Sequence, residues 1–411
     1  MLSTAFTLPS SGIVLKNRIV KAAMEEGLAQ ASLDPSAALE HLYARWAAGG
    51  SALLITGHVV VDRAHRGRPR DVVLDDRSDL EGFRRWATAA RSDGARVFMQ
   101  LNHAGRQTPR FINRRPVAPS VVPAVKAMKS FAVPRALELS EIASIVESFA
   151  RAAALAERAG FDGVEVHAAH GYLLSQFLSP LLNLRSDSYG GSVENRARLL
   201  IDIIRAVRTA TRPGFGLGIK INSADFQRGG FDADDFRTVV EMLDKEALDF
   251  IEISGGNYES QAMMSGPSGS TREAYFLEFL QAVRSVTKLP LFVTGGLRSR
   301  RGMDHALASG ADLVGLARPL ALDPALPKKL LSGEIDAALP GMQPFGNGVL
   351  RGLADTAWHS AQIGRLARGL EPALAMWPLY AIVRYVLTDM FLGYREPSPS
   401  ALSARAPGLP A

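Results

Sequence analysis

Two histidines and a tyrosine lie within six residues of one another in the segment VEVHAAHGYLL, as His167, His170 and Tyr172. Two imidazoles can hold a carbonyl oxygen by hydrogen bonds, and a phenol can deliver a proton to a neighbouring atom. Taken singly, His167 could be a satisfied interior histidine and Tyr172 a packing residue. The His-x-x-His spacing is also compatible with a metal site completed by a carboxylate. The grouping favours acid–base chemistry on a carbonyl compound, with a metal-dependent lyase or hydrolase as the alternative.

Two more polar side chains interrupt apolar segments of the sequence. Gln100 lies in RVFMQL, and its amide can both donate to and accept from the edge of a heterocycle. Lys220 lies in GLGIKI, where a buried ammonium needs an anionic or electron-rich partner. An ion pair with an interior carboxylate, Glu165 or Glu252, is the structural alternative for this lysine.

A phosphate site is indicated nearer the C-terminus. Gly295 and Gly296 follow the apolar run LPLFVT, and such a pair lets backbone N–H groups approach an anion closely. Arg318 follows the run ADLVGLA and supplies a bidentate donor. The two elements stand at corresponding points of consecutive apolar runs, which favours phosphate over a simple glycine turn.

Short apolar runs that alternate with longer helical stretches must position these residues. The eight runs are NRIVKAAM (17–24), SALLITGHVVV (51–61), RVFMQL (96–101), DGVEVH (162–167), GLGIKI (216–221), DFIEIS (249–254), LPLFVT (289–294) and ADLVGLA (311–317). Eight such units predict an α/β fold, a (β/α)₈ TIM barrel, whose active site lies at the carboxyl ends of the strands. A doubly wound open sheet is the competitor, but its first turn is normally glycine-rich, and here that turn reads KAAMEEGLA.

The composition excludes several functional classes. The 411 residues include no cysteine, so a disulfide, a thiolate zinc site and a cysteine-ligated iron–sulfur cluster are impossible. The net charge is +6, and arginines gather in residues 63–70 and 106–115. These stretches are either solvated loops or a surface that attracts an anionic ligand. Neither interleaves aromatic residues in a pattern typical of nucleic-acid binding, so no nucleic-acid partner is expected.

The alternation stops near residue 336, which predicts a barrel over residues 1–336 and a helical C-terminal extension over 337–394. Residues 395–411 are rich in Pro, Ser and Ala, and we expect them to be disordered. The apolar stretch 373–394 contains Pro378, Arg384 and Asp389, which disfavours a membrane span. We expect it to pack on the barrel or, in a homo-oligomer, on a partner subunit. The N-terminus has no export signal, which predicts a cytoplasmic protein.

The run EVHAAHGYLLSQFLSPLLNLRSDSYGGSVENRARL resembles the signature segment of the Old Yellow Enzyme family of FMN-dependent NAD(P)H oxidoreductases. LKNRIVKAAM, MQLNHAGR, PVAPS and the two phosphate elements also match in order, so the resemblance covers about residues 8 to 335. It implies that FMN lies across the barrel mouth, with Gln100 at its pyrimidine edge and Lys220 near N1 and O2. The cofactor-binding residues that it implies are Ala23, Met24, Glu25, Gly57, Gln100, Lys220, Gly295, Gly296, Ala317 and Arg318.

The resemblance also implies a reaction. NADH or NADPH reduces FMN and leaves, and an α,β-unsaturated carbonyl compound then enters the same pocket. His167 and His170 match the pair that binds the carbonyl oxygen or a phenolate. Hydride passes from flavin N5 to the β-carbon, and Tyr172 matches the residue that protonates the α-carbon. The implied partners are therefore a nicotinamide and a small activated alkene, with no metal. A flavin-binding module without such turnover is a further alternative.

Two features depart from the family pattern. Glu25 stands where the family usually has a small Thr or Cys beside flavin O4. If this carboxylate faces the flavin, we expect it to disfavour the anionic reduced cofactor and to lower its potential. The absence of cysteine also removes the ligands of the iron–sulfur centre that some larger relatives carry, so electrons must reach FMN directly from the nicotinamide.

Overall fold

Eight parallel β-strands close into a barrel in the computed structural model, which describes residues 1–124, 130–255 and 277–395. The strands are β1 (Ile19–Lys21), β2 (Leu53–Ile55), β3 (Arg96–Asn102), β4 (Gly163–Ala168), β5 (Gly216–Asn222), β6 (Phe250–Ser254), β7 (Leu291–Val293) and β8 (Leu313–Leu316). Each strand pairs in parallel with the next, and β8 pairs with β1. This closure confirms the predicted (β/α)₈ barrel, and the open-sheet alternative is wrong.

Helices follow the strands and cover the outside of the barrel. They are α1 (Ala37–Ala48), α2 (Leu80–Ala90), α3 (Leu139–Arg158), α4 (Leu173–Leu178), α5 (Val193–Ala210), α6 (Ala233–Leu243), α7 (Leu277–Arg284), α8 (Arg300–Ala308), α9 (Pro319–Leu322) and α10 (Leu326–Ser332). Several begin at a side-chain cap. Ser36 Oγ accepts from the N–H of Leu39 at α1, and Asp232 accepts from two N–H groups at α6. The capping residues thus set where the helices start.

The amino-terminal end of the barrel interior is filled by the rings of Phe98, Phe250 and Phe292. Phe250 lies 5.8 Å, centroid to centroid, from each of the other two. Gly216 and Gly218 on β5 make room for this layer, because a Cβ at either position would overlap a phenylalanine ring. Since this end is packed, a ligand can enter the interior only from the carboxyl ends of the strands.

Strand β4 shows how the alternation of side chains builds the site. Val164 and Val166 belong to the apolar core between strands and helices. Glu165, on the opposite face, accepts a hydrogen bond from Gln100 of the neighbouring strand β3 inside the barrel. His167, the residue before the last in β4, shares that inward face. The predicted alternation is therefore confirmed.

Two long helices follow the barrel, α11 (Gly348–Leu366) and α12 (Pro378–Arg395), and we refer to them as the C-terminal hairpin. They pack against each other, and Trp358 Nε1 donates to the carbonyl of Met376. The second helix begins at Pro378, within the apolar stretch 373–394, because the preceding residues form a turn and proline takes the first helical position. The predicted disordered tail lies, from residue 396 onward, outside the described residues.

Within residues 1–124, 130–255 and 277–395, no helix is both long enough and apolar enough to cross a bilayer.

Candidate active site

The interior floor of the site contains two buried polar pairs. Gln100 Nε2 donates to Glu165 Oε1 at 2.6 Å, and Lys220 Nζ lies 2.8 Å from Glu252 Oε1. Burial, and then the charge of Glu252, raises the pKa of Glu165 well above its usual value, so Glu165 holds a proton. Lys220 therefore forms an ion pair with an interior carboxylate, the structural alternative offered by the sequence, and its partner is Glu252.

Three aromatic rings gather above this floor, as the sequence predicts. The ring centroids of His167 and His170 are 5.0 Å apart, and those of His167 and Tyr172 are 5.1 Å apart. His167 belongs to β4, whereas the other two residues lie on the loop between β4 and α4. The three side chains can therefore act together on one small molecule.

His170 is held in a conformation that few non-glycine residues adopt, with φ of 62°. Its N–H donates to Asn222 Oδ1, and its Nε2 lies 2.8 Å from Ser254 Oγ. Its carbonyl accepts from Gln107 Nε2. Asn222 and Ser254 are the last residues of β5 and β6, so the ends of two strands hold the backbone and the ring of His170, and a left-handed φ persists where the surroundings hold it.

Both imidazoles are neutral. Burial lowers the pKa of His167 well below its usual value, and the positive charges of Lys220 and His58 lower it further. Burial and the Lys220 charge act likewise on the pKa of His170. His167 Nδ1 accepts from the N–H of Ala169, which assigns the ring proton to Nε2. His167 can therefore donate a hydrogen bond to an oxygen in the site.

Glu25 lies in a charged cluster at the end of β1. Arg68 Nε is 2.6 Å from Glu25 Oε1, and His58 lies between this carboxylate and Asp71, at 3.9 and 3.1 Å respectively. Burial raises the pKa of Glu25 to about 7 despite the opposing charge of Arg68. Burial disfavours protonation of His58, but Asp71 outweighs it and raises the pKa of His58 to about 9. The His58 ring also lies 5.3 Å from that of Tyr172, which links this cluster to the site.

Gly57 serves the packing of the neighbouring segment. Its N–H donates to Tyr43 Oη at 3.0 Å and to Glu26 Oε1 at 3.2 Å. A Cβ at this position would overlap the Glu26 carboxylate and the carbonyl of Met24. The N–H of Gly57 is therefore already bonded to groups of the protein. Ala23 and Met24, the other cofactor-binding residues expected near the end of β1, lie partly buried at the rim of the barrel.

The phosphate elements lie at the ends of β7 and β8, which are adjacent strands. Gly295 and Gly296 have φ of 101° and 76°, values that a residue with a side chain rarely adopts. Ala317 and Arg318 directly follow β8 and are partly buried. Arg318 Nη1 donates to Asp355 Oδ2 at 2.6 Å, a contact that the sequence did not predict.

The donor set fits FMN. Gln100 Oε1 and Lys220 supply an acceptor and a cation for a pyrimidine edge. Among the described residues, the side-chain hydrogen bond of Gln100 is the one that its Nε2 donates to Glu165. Consecutive glycines with positive φ beside Arg318 form a cradle typical of phosphate sites. Two groups of converging potential metal-ligand atoms occur among the described residues, Asp62–His65–His103 and Glu25–His58–Asp71, and neither includes His167 or His170.

Three arginines of the two arginine-rich stretches, Arg63, Arg68 and Arg106, are tied into the protein. Arg63 pairs with Asp75 through two nitrogens, at 2.6 and 2.9 Å. Arg106 Nη1 donates to the carbonyl of Pro123 at 2.9 Å. Because Arg68 pairs with Glu25, these arginines stabilise the loops around the site and are not a free cationic surface.

Sequence reasoning missed several residues of the site. Asn222 and Ser254 end β5 and β6, and His58 follows β2, so inspection of every strand end would have found them. Asp71 and Asp355 carry no such signal, because they come from a distant loop and from a helix outside the barrel.

Most of the chain matches known flavoproteins. Residues 9–336 match the NADH:flavin oxidoreductase / NADH oxidase family. The NADH-dependent flavin oxidoreductase iliE of Hypocrea jecorina (strain QM6a) is 41% identical over 348 residues, 78% of this chain and 86% of that protein. The protein of the same name from Neonectria sp. (strain DH2) is 39% identical over 384 residues, 86% of this chain but 50% of that protein, so this chain spans half of that relative's length.

The structure has similar counterparts as well. The old yellow enzyme homologue from Zymomonas mobilis shares 28% sequence identity and a TM-score of 0.71, over 82% of this chain and 94% of that one. The family match spans the barrel and every site loop described above. The chain therefore belongs to the NADH:flavin oxidoreductase / NADH oxidase family, that of Old Yellow Enzyme, and is an FMN-dependent NAD(P)H oxidoreductase.

Proposed function

We propose that this enzyme reduces the C=C bond of α,β-unsaturated carbonyl compounds. The observation that carries the proposal is the neutral pair His167 and His170 with Tyr172 beside it, over a floor suited to a flavin edge. FMN, when bound, supplies the redox chemistry between the nicotinamide and the alkene. The relatives named above are NADH-dependent, and we propose NADH or NADPH as the reductant here.

His167 and His170 hold the carbonyl oxygen. The Nε2–H of His167 is available to donate, and a Ser254 hydroxyl that donates to His170 Nε2 leaves the Nδ1–H of that ring for the substrate. Negative charge develops on this oxygen as the β-carbon is reduced, so two fixed donors stabilise the transition state more than the ground state. Because both rings are neutral, each has a single N–H donor, and its other nitrogen accepts a hydrogen bond from the protein.

Tyr172 delivers the proton to the α-carbon. Its ring is buried and packs between those of His58 and His167, which limits the directions in which the hydroxyl can point. Lys220, Gln100 and Arg318 hold the cofactor, and the nicotinamide and the alkene use the pocket in turn.

The test is an anaerobic absorbance titration of the purified full-length protein. We expect a yellow protein that NADH or NADPH bleaches and that 2-cyclohexenone returns to yellow, whereas saturated cyclohexanone leaves it bleached. A protein that is bleached but that no enone reoxidises would instead be a flavin-binding module. A colourless protein with chelator-sensitive activity would favour the metal-dependent alternative.

A Glu25→Thr substitution is expected to raise the flavin midpoint potential at pH 8 by on the order of 30 mV, the two-electron equivalent of about 1.4 kcal/mol. Since the pKa of Glu25 is about 7, the side chain is mostly ionised at pH 8 and mostly neutral at pH 6. Removing the charge favours the anionic reduced cofactor, so the difference from wild type should shrink as the pH falls. Titration against a redox dye measures it.

The matched control for this prediction is Glu25→Gln, which removes the charge and keeps the size of the side chain. It should give the same shift as Glu25→Thr if the carboxylate charge is the cause. An unchanged midpoint in both variants at pH 8 would show that Glu25 does not act on the flavin.

A further inference from the structure

The C-terminal hairpin contacts the arginine assigned to the flavin phosphate. Asp355 lies in α11, and its Oδ2 accepts from Arg318 Nη1 at 2.6 Å. Helix α11 packs on α9, which begins immediately after Arg318. A residue outside the family-matched region, which ends at residue 336, thus contacts the site.

The contact leaves part of the guanidinium for another anion. Within the part of the chain that the structure describes, Arg318 Nε and Nη2 make no hydrogen bond. A guanidinium presents its donors in a planar fork and can bind two oxyanions at once. Because β7 and β8 are adjacent and parallel, Arg318 stands at the same rim as Gly295 and Gly296.

Asp355 is itself held in place. One turn later on α11, His359 Nδ1 lies 2.8 Å from the Asp355 carbonyl oxygen and 3.4 Å from Asp355 Oδ1. His359 is buried, and burial lowers its pKa, so the ring is neutral and donates from Nδ1. His359 therefore binds the backbone of Asp355 and lies beside its carboxylate, on the side opposite the oxygen that accepts from Arg318.

We propose that Asp355 is a positioning residue of the flavin-phosphate site. It binds one nitrogen of Arg318 and so directs the remaining donors of the guanidinium at the phosphate. This role contrasts with simple competition, in which the carboxylate would occupy the arginine and repel the phosphate. The two roles predict opposite effects when the charge of Asp355 is removed, and neither depends on which alkene the enzyme reduces.

The test compares FMN with riboflavin, which lacks the phosphate, as ligands of the full-length protein stripped of its flavin. For Asp355→Asn we expect the Kd for FMN to rise about 3- to 5-fold, in proportion to a partly exposed ion pair, while that for riboflavin stays unchanged. Quenching of flavin fluorescence measures both. Tighter FMN binding would show competition, and an equal loss for both ligands would show a merely structural role; either result overturns the proposal.

Two further variants keep the test decisive. Arg318→Ala should lose FMN affinity about 10-fold or more without losing riboflavin, and adding Asp355→Asn to it should cost nothing further. An Arg318→Ala variant that does not discriminate between the two flavins would overturn the phosphate assignment itself. Glu371→Gln is the matched control. Glu371 lies between α11 and α12 and forms another ion pair with the rest of the protein, at 2.7 Å to Arg45 of α1. Its substitution should leave both Kd values unchanged.

Discussion

A Tyr172→Phe variant is expected to react with a cyclic enone at least about 100-fold more slowly than the wild type, while its reduction by NADH keeps the wild-type rate. The substitution removes one hydroxyl and retains the ring, which is buried against His58 and His167. Only the alkene step needs a proton on carbon, so only that step should slow. Anaerobic stopped-flow absorbance follows the two half-reactions separately.

The control for this prediction is Tyr189→Phe. This substitution likewise removes one tyrosine hydroxyl, which in the wild type donates to Asp202 at 3.0 Å. Tyr189 lies in the loop before α5, outside the cluster formed by the rings of His167, His170 and Tyr172. It should leave both half-reactions unchanged. Equal slowing of the two steps in Tyr172→Phe would indicate damage to the pocket, and an unchanged enone step would exclude Tyr172 as the proton donor.

The barrel could be predicted from the sequence because its strands are buried on both faces. Such strands appear as short apolar runs, and all eight runs became barrel strands. Their bounds were less accurate: the run 17–24 contains only Ile19–Lys21 as strand, since residues beyond it turn outward to form the rim. Hydrophobicity marks where a strand lies, but hydrogen bonding to neighbours decides where it ends.

The part of the site that lies on strands could be predicted for the same reason. Alternation alone placed Glu165 and His167 on one face. Burial of Lys220 required an anionic or electron-rich partner, and of the two carboxylates offered as its structural alternative the structure pairs it with Glu252. The choice between Glu165 and Glu252 could not be made from the sequence, because it depends on which of two facing carboxyls keeps a proton.

The partners of Glu25 and Arg318 could not be predicted. Arg68 and Asp71 come from a loop with no periodic pattern, and Asp355 comes from a helix 37 residues after Arg318. Such contacts depend on how loops and helices pack across the barrel rim, and no local pattern encodes that packing. Arg68 and His58 therefore offset part of the negative charge of Glu25, which its position in the sequence does not reveal. The redox titration of the Glu25 variants measures the effect of the remaining charge on the flavin.

Replacing His167 with Ala is expected to lower kcat/KM for a cyclic enone about 100-fold, which is the typical effect of deleting one preorganised donor to a developing oxyanion. The loss should also appear as weaker binding of a para-substituted phenol, a ligand that needs the same donor but undergoes no reaction. His167→Asn keeps a side-chain N–H at this position and should recover part of both properties. Steady-state kinetics and a spectral titration with the phenol provide the two measurements.

The matched control is His305→Ala, which removes an exposed imidazole from the last turn of α8. It should behave as the wild type in both measurements. If His167→Ala lost no more activity than this control, the carbonyl oxygen would have to be held elsewhere. If His167→Ala lost activity but bound the phenol normally, the imidazole would contribute to the pocket without donating to the oxygen. The expected pattern, a joint loss with partial recovery in the Asn variant, follows from a neutral ring whose Nδ1 is already bonded to the backbone and whose Nε2–H alone can reach the ligand.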